Sequence, residues 1–327
     1  MKTISIKDIE GIRIGNAQNF TGGTGCTVIL SETGMCAGLD VRGGGPASRE
    51  SELLKPLAAA QSIHAVLLGG GSAFGLDAAG GVMQFLEEKG IGFDVGVTKV
   101  PLVCQSDIFD LTVADAHVRP NKEMGYEACK GAYADNYQDG NFGVGTGATV
   151  GKFRGMDYCM KSGIGSYAVQ IGELKVGALV AVNALGDIYD YHTGRIVAGM
   201  LNEERSGFAD TAKLLYSSYE VHDNKFVGNT TIGAIITNAR FDKSQLSKIA
   251  GMAHNGYARS IRPVHTSADG DSIYALSVGN IAADCDMVGT LAADVMSEAI
   301  LSAVKMLSLL MAIRSAKILL LYKLKRT

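Results

Sequence analysis

No two of the six cysteines stand in a C-x-x-C pair; Cys26, Cys36, Cys104, Cys129, Cys159 and Cys285 are scattered along the chain. That spacing supplies neither a zinc site nor a disulfide framework, and it predicts reduced thiols in a cytoplasmic protein. A basic stripe with interleaved aromatics is also missing, and the net charge is −3, so nucleic acid is not an expected partner. The apolar stretches 306–313 and 318–322 are broken by Arg314 and Lys317. Neither approaches the roughly 18–20 residues needed to cross a bilayer. The opening Met1-Lys2-Thr3-Ile4-Ser5-Ile6-Lys7-Asp8 alternates polar and apolar like a strand and has no apolar signal core, so a soluble protein without a membrane partner is expected.

Several catalytic and cofactor signatures are absent as well. Gly69-Gly70-Gly71-Ser72 falls between a strand and a helix, where a dinucleotide fingerprint would sit, but it does not fit G-x-G-x-x-G. Gly143-Val144-Gly145-Thr146-Gly147 is no phosphate loop, because Lys152 comes too late. Without a G-x-S-x-G elbow, a hydrolase of the Ser-His-Asp type has no signature here. No linker, repeat or low-complexity segment divides the chain.

What is abundant is glycine. The 42 glycines among 327 residues exceed the usual share of roughly 7% and predict many tight turns and close backbone approaches. Apolar runs predict strands over 26–30, 36–41, 65–68, 167–171, 176–183 and 188–192, with two more starting at Thr230 and Ser272. Helices are expected over 73–89, ended by Gly90, and over 203–216, 243–257 and 288–312. A further short helix would be capped by Ser48 and carry Glu50 and Glu52 in its first turns. The strands read as continuous apolar runs rather than clean alternation, which implies coverage on both faces. Strand blocks separated by helices favour a layered α/β architecture with helices outside a double or mixed sheet.

Five polar positions carry the candidate chemistry. Asn229-Thr230 stands directly before an apolar, β-branched run, with His222-Asp223-Asn224-Lys225 upstream. An internal threonine at a strand head is ordinarily just a good β-former. Cut before Thr230, however, the chain gains an α-amine with a pKa near 7.7–8.0. A threonine hydroxyl activated by its own terminal amine is an established route to covalent catalysis. Lys152 sits in an uncharged glycine-rich stretch, where a lysine is more often a solvated strand end. Asn183 ends the apolar run Val176–Val182, where a buried amide must find partners or else cap the turn at Gly186. Asp269-Gly270-Asp271 is either an acid pair or an ordinary turn before a strand.

Long ordered motifs join these positions. They include Asp40-Val41-Arg42-Gly43-Gly44, Gly70-Gly71-Ser72-Ala73-Phe74-Gly75-Leu76-Asp77-Ala78-Ala79, Ile108-Phe109-Asp110-Leu111, Gly145-Thr146-Gly147-Ala148-Thr149-Val150-Gly151-Lys152, Val176–Asn183 and Asn229-Thr230-Thr231-Ile232-Gly233. Through them the chain resembles the DmpA-type L-aminopeptidase/D-amidase-esterases, which include β-aminopeptidases and nylon-oligomer hydrolases. The resemblance implies a single αββα four-layer sandwich, related to that of the ornithine acetyltransferases. It also implies a precursor that cleaves itself into residues 1–229 and 230–327, and assembly into homo-oligomers, commonly tetramers. No metal or organic cofactor is implied. Carried onto these positions, Thr230 would be the nucleophile, Asn229 the new terminus of the larger chain, Lys152 the active-site lysine and Asn183 the oxyanion-stabilising amide. Asp269 and Asp271 would match the paired residues that follow the nucleophile, in the Asp-Gly-Asp form of the nylon-oligomer branch. The implied substrates are short peptides or amino-acid amides; an endo-acting amide-oligomer hydrolase, an N-acyl transferase and an uncleaved binding protein are the rivals. Val103-Cys104-Gln105-Ser106-Asp107 departs from the more apolar, proline-containing family segment, which predicts an altered pocket wall, and the tail after Leu307 has no match.

Overall fold

The computed structural model describes residues 1–219 and 228–324, with side chains described through Lys305. The stretch 222–225 therefore lies outside the described residues, as do the side chains of the tail. Ten strands form one hydrogen-bonded path: β1 (Lys2–Ile4), β2 (Arg13–Asn19), β3 (Thr24–Val41), β4 (Ala47–Arg49), β5 (Ile63–Gly69), β6 (Val103–Asp107), β7 (Ile164–Ile171), β8 (Leu174–Asn183), β9 (Thr230–Ala239) and β10 (Ser272–Ile281). Their order is β1-β7-β8-β9-β10-β3-β5-β6-β4, with β2 on the free side of β3. Helices α1 (Ala78–Glu88), α2 (Lys122–Tyr133), α3 (Thr211–Ser217), α4 (Lys243–Ser260) and α5 (Cys285–Leu324) complete the frame.

The 18-residue β3 serves two sheets. Its residues 36–41 pair with β10, whereas 24–35 pair with β2 and β5, with a register break between Leu30 and Met35. Gly34, at φ +81°, supplies the left-handed residue at that break. The strands read in sequence as two separate runs are thus one bent strand, and the path folds into two sheets packed face to face.

Side-chain alternation along the strands explains the layers. On β8, Val176, Ala178, Val180 and Val182 face an outer cluster with Leu246, Ala253, Met296 and Ile300 of α4 and α5. Leu179 and Ala181 point the other way, into an inner cluster with Ile29, Val66, Leu68, Ile232, Ala234 and Ile236. A third cluster joins Val28, Leu30 and Leu67 to Val82, Leu86 and Ala128 of α1 and α2. Three apolar layers between four layers of backbone make the αββα sandwich, and apolar residues on both faces are why the strands show no clean alternation. The Cys285–Lys305 part of α5 is long and apolar enough to cross a membrane by composition, but most of it is buried in the outer cluster as a core helix.

Three expectations need correction. Ser48 caps no helix; it lies in β4, paired with β6, and only a single 3₁₀ turn follows at Ser51–Leu54. The helix expected over 203–216 shortens to Thr211–Ser217. Upstream, the Asn202 side chain accepts from the backbone N–H groups of Ser206 and Gly207, so the chain turns there instead of winding. The last helix is longer than expected, with helical backbone from Cys285 to Leu324.

Candidate active site

Three strand ends converge at one end of the sheet that contains β8, β9 and β10. Asn183 closes β8 and pairs in register with Thr230, the first residue of β9. On the other flank β10 runs parallel to β9, its ladder starting at Ile232 opposite Ser272. The Asp269-Gly270-Asp271 turn therefore lies beside Asn229 and Thr230, with a bridge between Asn229 and Asp269. All five side-chain candidates are buried: Thr230 is 4% exposed, Lys152 and Asp269 2%, Asp271 1% and Asn183 0%.

Lys152 is delivered by a turn at Gly151, whose φ of +71° and closeness to the Met200 backbone leave no room for a side chain. The chain is pinned there by the Lys152 N–H on the Leu185 carbonyl. Its Nζ donates to the Asn183 backbone oxygen at 3.0 Å, to Asn183 Oδ1 at 2.8 Å and to the Gly228 oxygen at 3.4 Å. Lys152 is thus no solvated strand end. Burial drives its pKa from 10.5 down to about 7, against the pull of Asp269, Asp110 and Asp271. A lysine so placed exchanges its proton near neutrality, as a base or acid must.

Asn183 finds its partners in the site rather than at Gly186. Its Oδ1 also accepts from the N–H and hydroxyl of Thr149, at 3.1 and 3.3 Å, and its Nδ2 donates to the Phe109 carbonyl at 3.0 Å. One of its two amide N–H groups is thereby engaged with Phe109. The donor that does reach the junction is the Gly270 N–H, 2.9 Å from the Asn229 carbonyl oxygen. The Thr230 hydroxyl donates to that same oxygen.

The two aspartates differ. Both oxygens of Asp271 are occupied: Oδ1 accepts from Thr231 N–H at 2.7 Å, and Oδ2 from His265 N–H at 3.1 Å and His265 Nδ1 at 2.8 Å. Asp269 Oδ2 accepts from the N–H and hydroxyl of Thr266, at 2.8 and 2.6 Å. Burial and the neighbouring Asp271 carboxylate raise the Asp269 pKa to about 6. The turn is held by Gly43, where an added Cβ would come 2.2 Å from the Asp271 nitrogen.

Sequence reasoning missed Thr149, the Phe109 carbonyl, Thr266 and His265. Thr266 carried a readable signal, since an acid three residues after a threonine is the spacing at which the carboxylate reaches back to the backbone N–H. For His265 no spacing rule applied. The departing segment Val103–Asp107 is β6, buried throughout. Gln105 bonds to Ala79 N–H, Gly75 O and Asp107 Oδ1, and Ser106 to the Tyr274 hydroxyl, whereas Asp107 Oδ2 is buried without a hydrogen-bond partner among the described residues.

The geometry puts a hydroxyl against a carbonyl, a peptide N–H on that carbonyl's oxygen, and a near-neutral lysine close by, which are the parts of acyl transfer. The family model described as peptidase family S58 matches residues 5–316. An uncharacterized aminopeptidase of Mycobacterium leprae is 38% identical over 85% of this chain and 80% of its own length. A 6-aminohexanoate-oligomer endohydrolase of Agromyces is 30% identical over 91% of this chain and 85% of its own. The solved L-aminopeptidase D-Ala-esterase/amidase of Ochrobactrum anthropi, a variant of the Ntn hydrolase fold, superposes with a TM-score of 0.69 at 18% identity, covering 91% of this chain and 85% of that one.

Proposed function

Because this chain belongs to peptidase family S58, whose members hydrolyse peptide or amide bonds, we propose that it matures by cutting itself before Thr230 and then acts as an N-terminal-threonine aminopeptidase or amidase. The observation that carries this reading is the Asn229 carbonyl oxygen, which accepts both from the Thr230 hydroxyl and from the Gly270 N–H. In the first step the Thr230 oxygen bonds to the Asn229 carbon, the C–N bond breaks, and the hydroxyl proton ends on the freed nitrogen. Gly270 N–H stabilises the oxygen on which charge gathers; such a donor typically contributes about 2.7–4 kcal/mol. Water then hydrolyses the ester, leaving an Asn229 carboxylate and a free Thr230 amine.

In the mature enzyme that amine accepts the hydroxyl proton as Thr230 attacks the substrate carbonyl. The leaving amine takes the proton, and water releases the acyl group. Lys152, near-neutral through burial, adjusts the proton affinity of the new amine and orients the site through Asn183. The substrate ammonium falls to Asp269 rather than Asp271, because both Asp271 oxygens already hold donors. Such a carboxylate favours unblocked amino-acid amides and short peptides. The likeness to an endohydrolase of 6-aminohexanoate oligomers supports a second reading, cleavage within a chain without a need for a free amine.

The purified protein should run as two fragments under denaturing conditions, the smaller beginning Thr-Thr-Ile-Gly. Thr230→Ala should remain one inactive chain and Thr230→Ser should still cleave, since only alanine lacks the hydroxyl. An alanine variant that cleaves normally would assign the nucleophile elsewhere.

A further inference from the structure

His265 belongs to none of the motifs that define the site, yet among the described residues its side chain hydrogen-bonds to Asp271 alone. We infer that His265 is a positioning residue for the nucleophile: it clamps Asp271, and Asp271 in turn fixes the head of β9 at Thr231. This inference rests on the role given to Thr230 above.

The carboxylate of Asp271 spans the clamp. One oxygen takes the Thr231 N–H at 2.7 Å, and the other takes His265 twice, through its backbone N–H and its ring Nδ1. Thr231 precedes the first ladder pair between β9 and β10, Ile232 opposite Ser272. On this flank the strands are bridged at Asn229 and Asp269 and pair again only from Ile232, so the Asp271 side chain supplies the acceptor for the amide in the gap between. Losing its hold would free the Thr231 amide in that gap, beside the nucleophile.

His265 is built for this contact. Its φ of +58° is the left-handed conformation, in which backbone N–H and ring nitrogen converge on one carboxylate oxygen. Because that oxygen can only accept, Nδ1 carries the proton. Two residues of α4 set the ring plane: Tyr257 stacks on it at 5.9 Å and 29°, and His254 meets it edge-on at 4.8 Å and 74°. His254 is itself held by its Nε2 against the Asp40 carbonyl at 3.1 Å. The other ring nitrogen of His265, Nε2, is buried with no hydrogen-bond partner among the described residues. A buried polar atom left so is a cost, and what the imidazole offers in return is the Nδ1 contact with Asp271.

The test uses two variants in the full chain. His265→Gly keeps the backbone N–H and the left-handed conformation but removes the ring donor. His265→Asn tolerates that conformation and returns a side-chain donor. In the uncleavable Thr230→Ala background, His265→Gly should speed hydrogen exchange of the Thr231 amide roughly tenfold, about the effect of losing one hydrogen bond, while amides of β8 stay protected. In the cleavable chain it should slow fragment formation and lower kcat on an amino-acid p-nitroanilide by about 10–100-fold, the cost of a small misplacement, with KM within about twofold. His265→Asn should recover most of the exchange protection and the rate. Unchanged Thr231 exchange overturns the clamp, and so does unchanged cleavage and kcat. A loss of activity that follows a fall in Tm, unrescued by asparagine, makes His265 merely structural. If the unmutated chain neither cleaves nor turns over substrate, the function proposed for Thr230 fails with it; the exchange measurement, made without cleavage, reports on the clamp separately.

Discussion

At the residue scale, burial does most of the tuning. Lys152 binds its proton with a pKa of about 7 in the fold against 10.5 ordinarily. Between those values the unfolded chain holds more protons than the folded one, so this residue's contribution to stability rises with pH across that window and is least favourable at and below about pH 7. Lys152→Met should therefore abolish turnover yet raise Tm by several degrees near pH 6, at about 2–4 °C per kcal/mol, with the gain shrinking towards pH 10. Melting curves across that range check it; a gain that grows with pH would mean the ammonium is not penalised by burial. Asp269 has the opposite sign, its folded pKa raised from 3.8 to about 6, so its contribution falls as pH rises through that interval. Under the role proposed for Asp269, the same shift would govern binding of a substrate ammonium. As pH falls below about 6 the Asp269 carboxyl takes up a proton, and KM for a free-amine p-nitroanilide should rise while that for its N-acetylated counterpart does not. Equal KM profiles for the two would remove the ammonium-binding role and favour the endo-acting reading. The types and positions of Thr230, Lys152, Asn183, Asp269 and Asp271 were legible in sequence. Which donor faces which acceptor was not, because Gly270 N–H and Phe109 O are backbone groups with no signature of their own.

At the element scale, stability depends on how closely helix and sheet approach. Residue Gly165 of β7 lies under α5, where an added Cβ would come 2.3 Å from the Ala299 oxygen and the Ala303 nitrogen. Both are backbone atoms of a helix and cannot swing aside. Gly165→Ala should cost about 1–3 kcal/mol, the usual range for overpacking, read as a lower Tm with kcat per folded molecule preserved. An unchanged Tm would show that α5 shifts freely on the sheet. Helix α4 illustrates the legible part. Asp242 and Gln245 bond reciprocally to each other's backbone N–H, a start signal visible as D-x-x-Q before an apolar periodicity. The missing half of the 203–216 helix illustrates the other part, since Asn202 captured backbone groups that a periodic pattern assigns to the helix.

At the scale of the molecule, β9 has β8 on one side and β10 on the other, deep in the first sheet. A cut before Thr230 would sever one peptide bond and leave both ladders and both apolar faces of that strand in place. The fragments 1–229 and 230–327 should co-elute at native pH and separate only in denaturant. Release of either fragment in plain buffer would show that the sheet is not shared as described.

The sequence by itself determined a layered α/β class, because apolar runs without alternation require cover on both faces; the four-layer form followed from the family resemblance. The sequence also determined which residue types stand at the strand heads. Only the tertiary structure decided that β3 bends through both sheets. It alone decided that Asp271 is spent on Thr231 and His265 while Asp269 keeps an oxygen free of donors among the described residues. The physical reason is one of range. Periodicity and capping act within a few residues, whereas the Gly270 amide meets the Asn229 carbonyl across 41 residues of chain, and only a finished parallel ladder sets that distance.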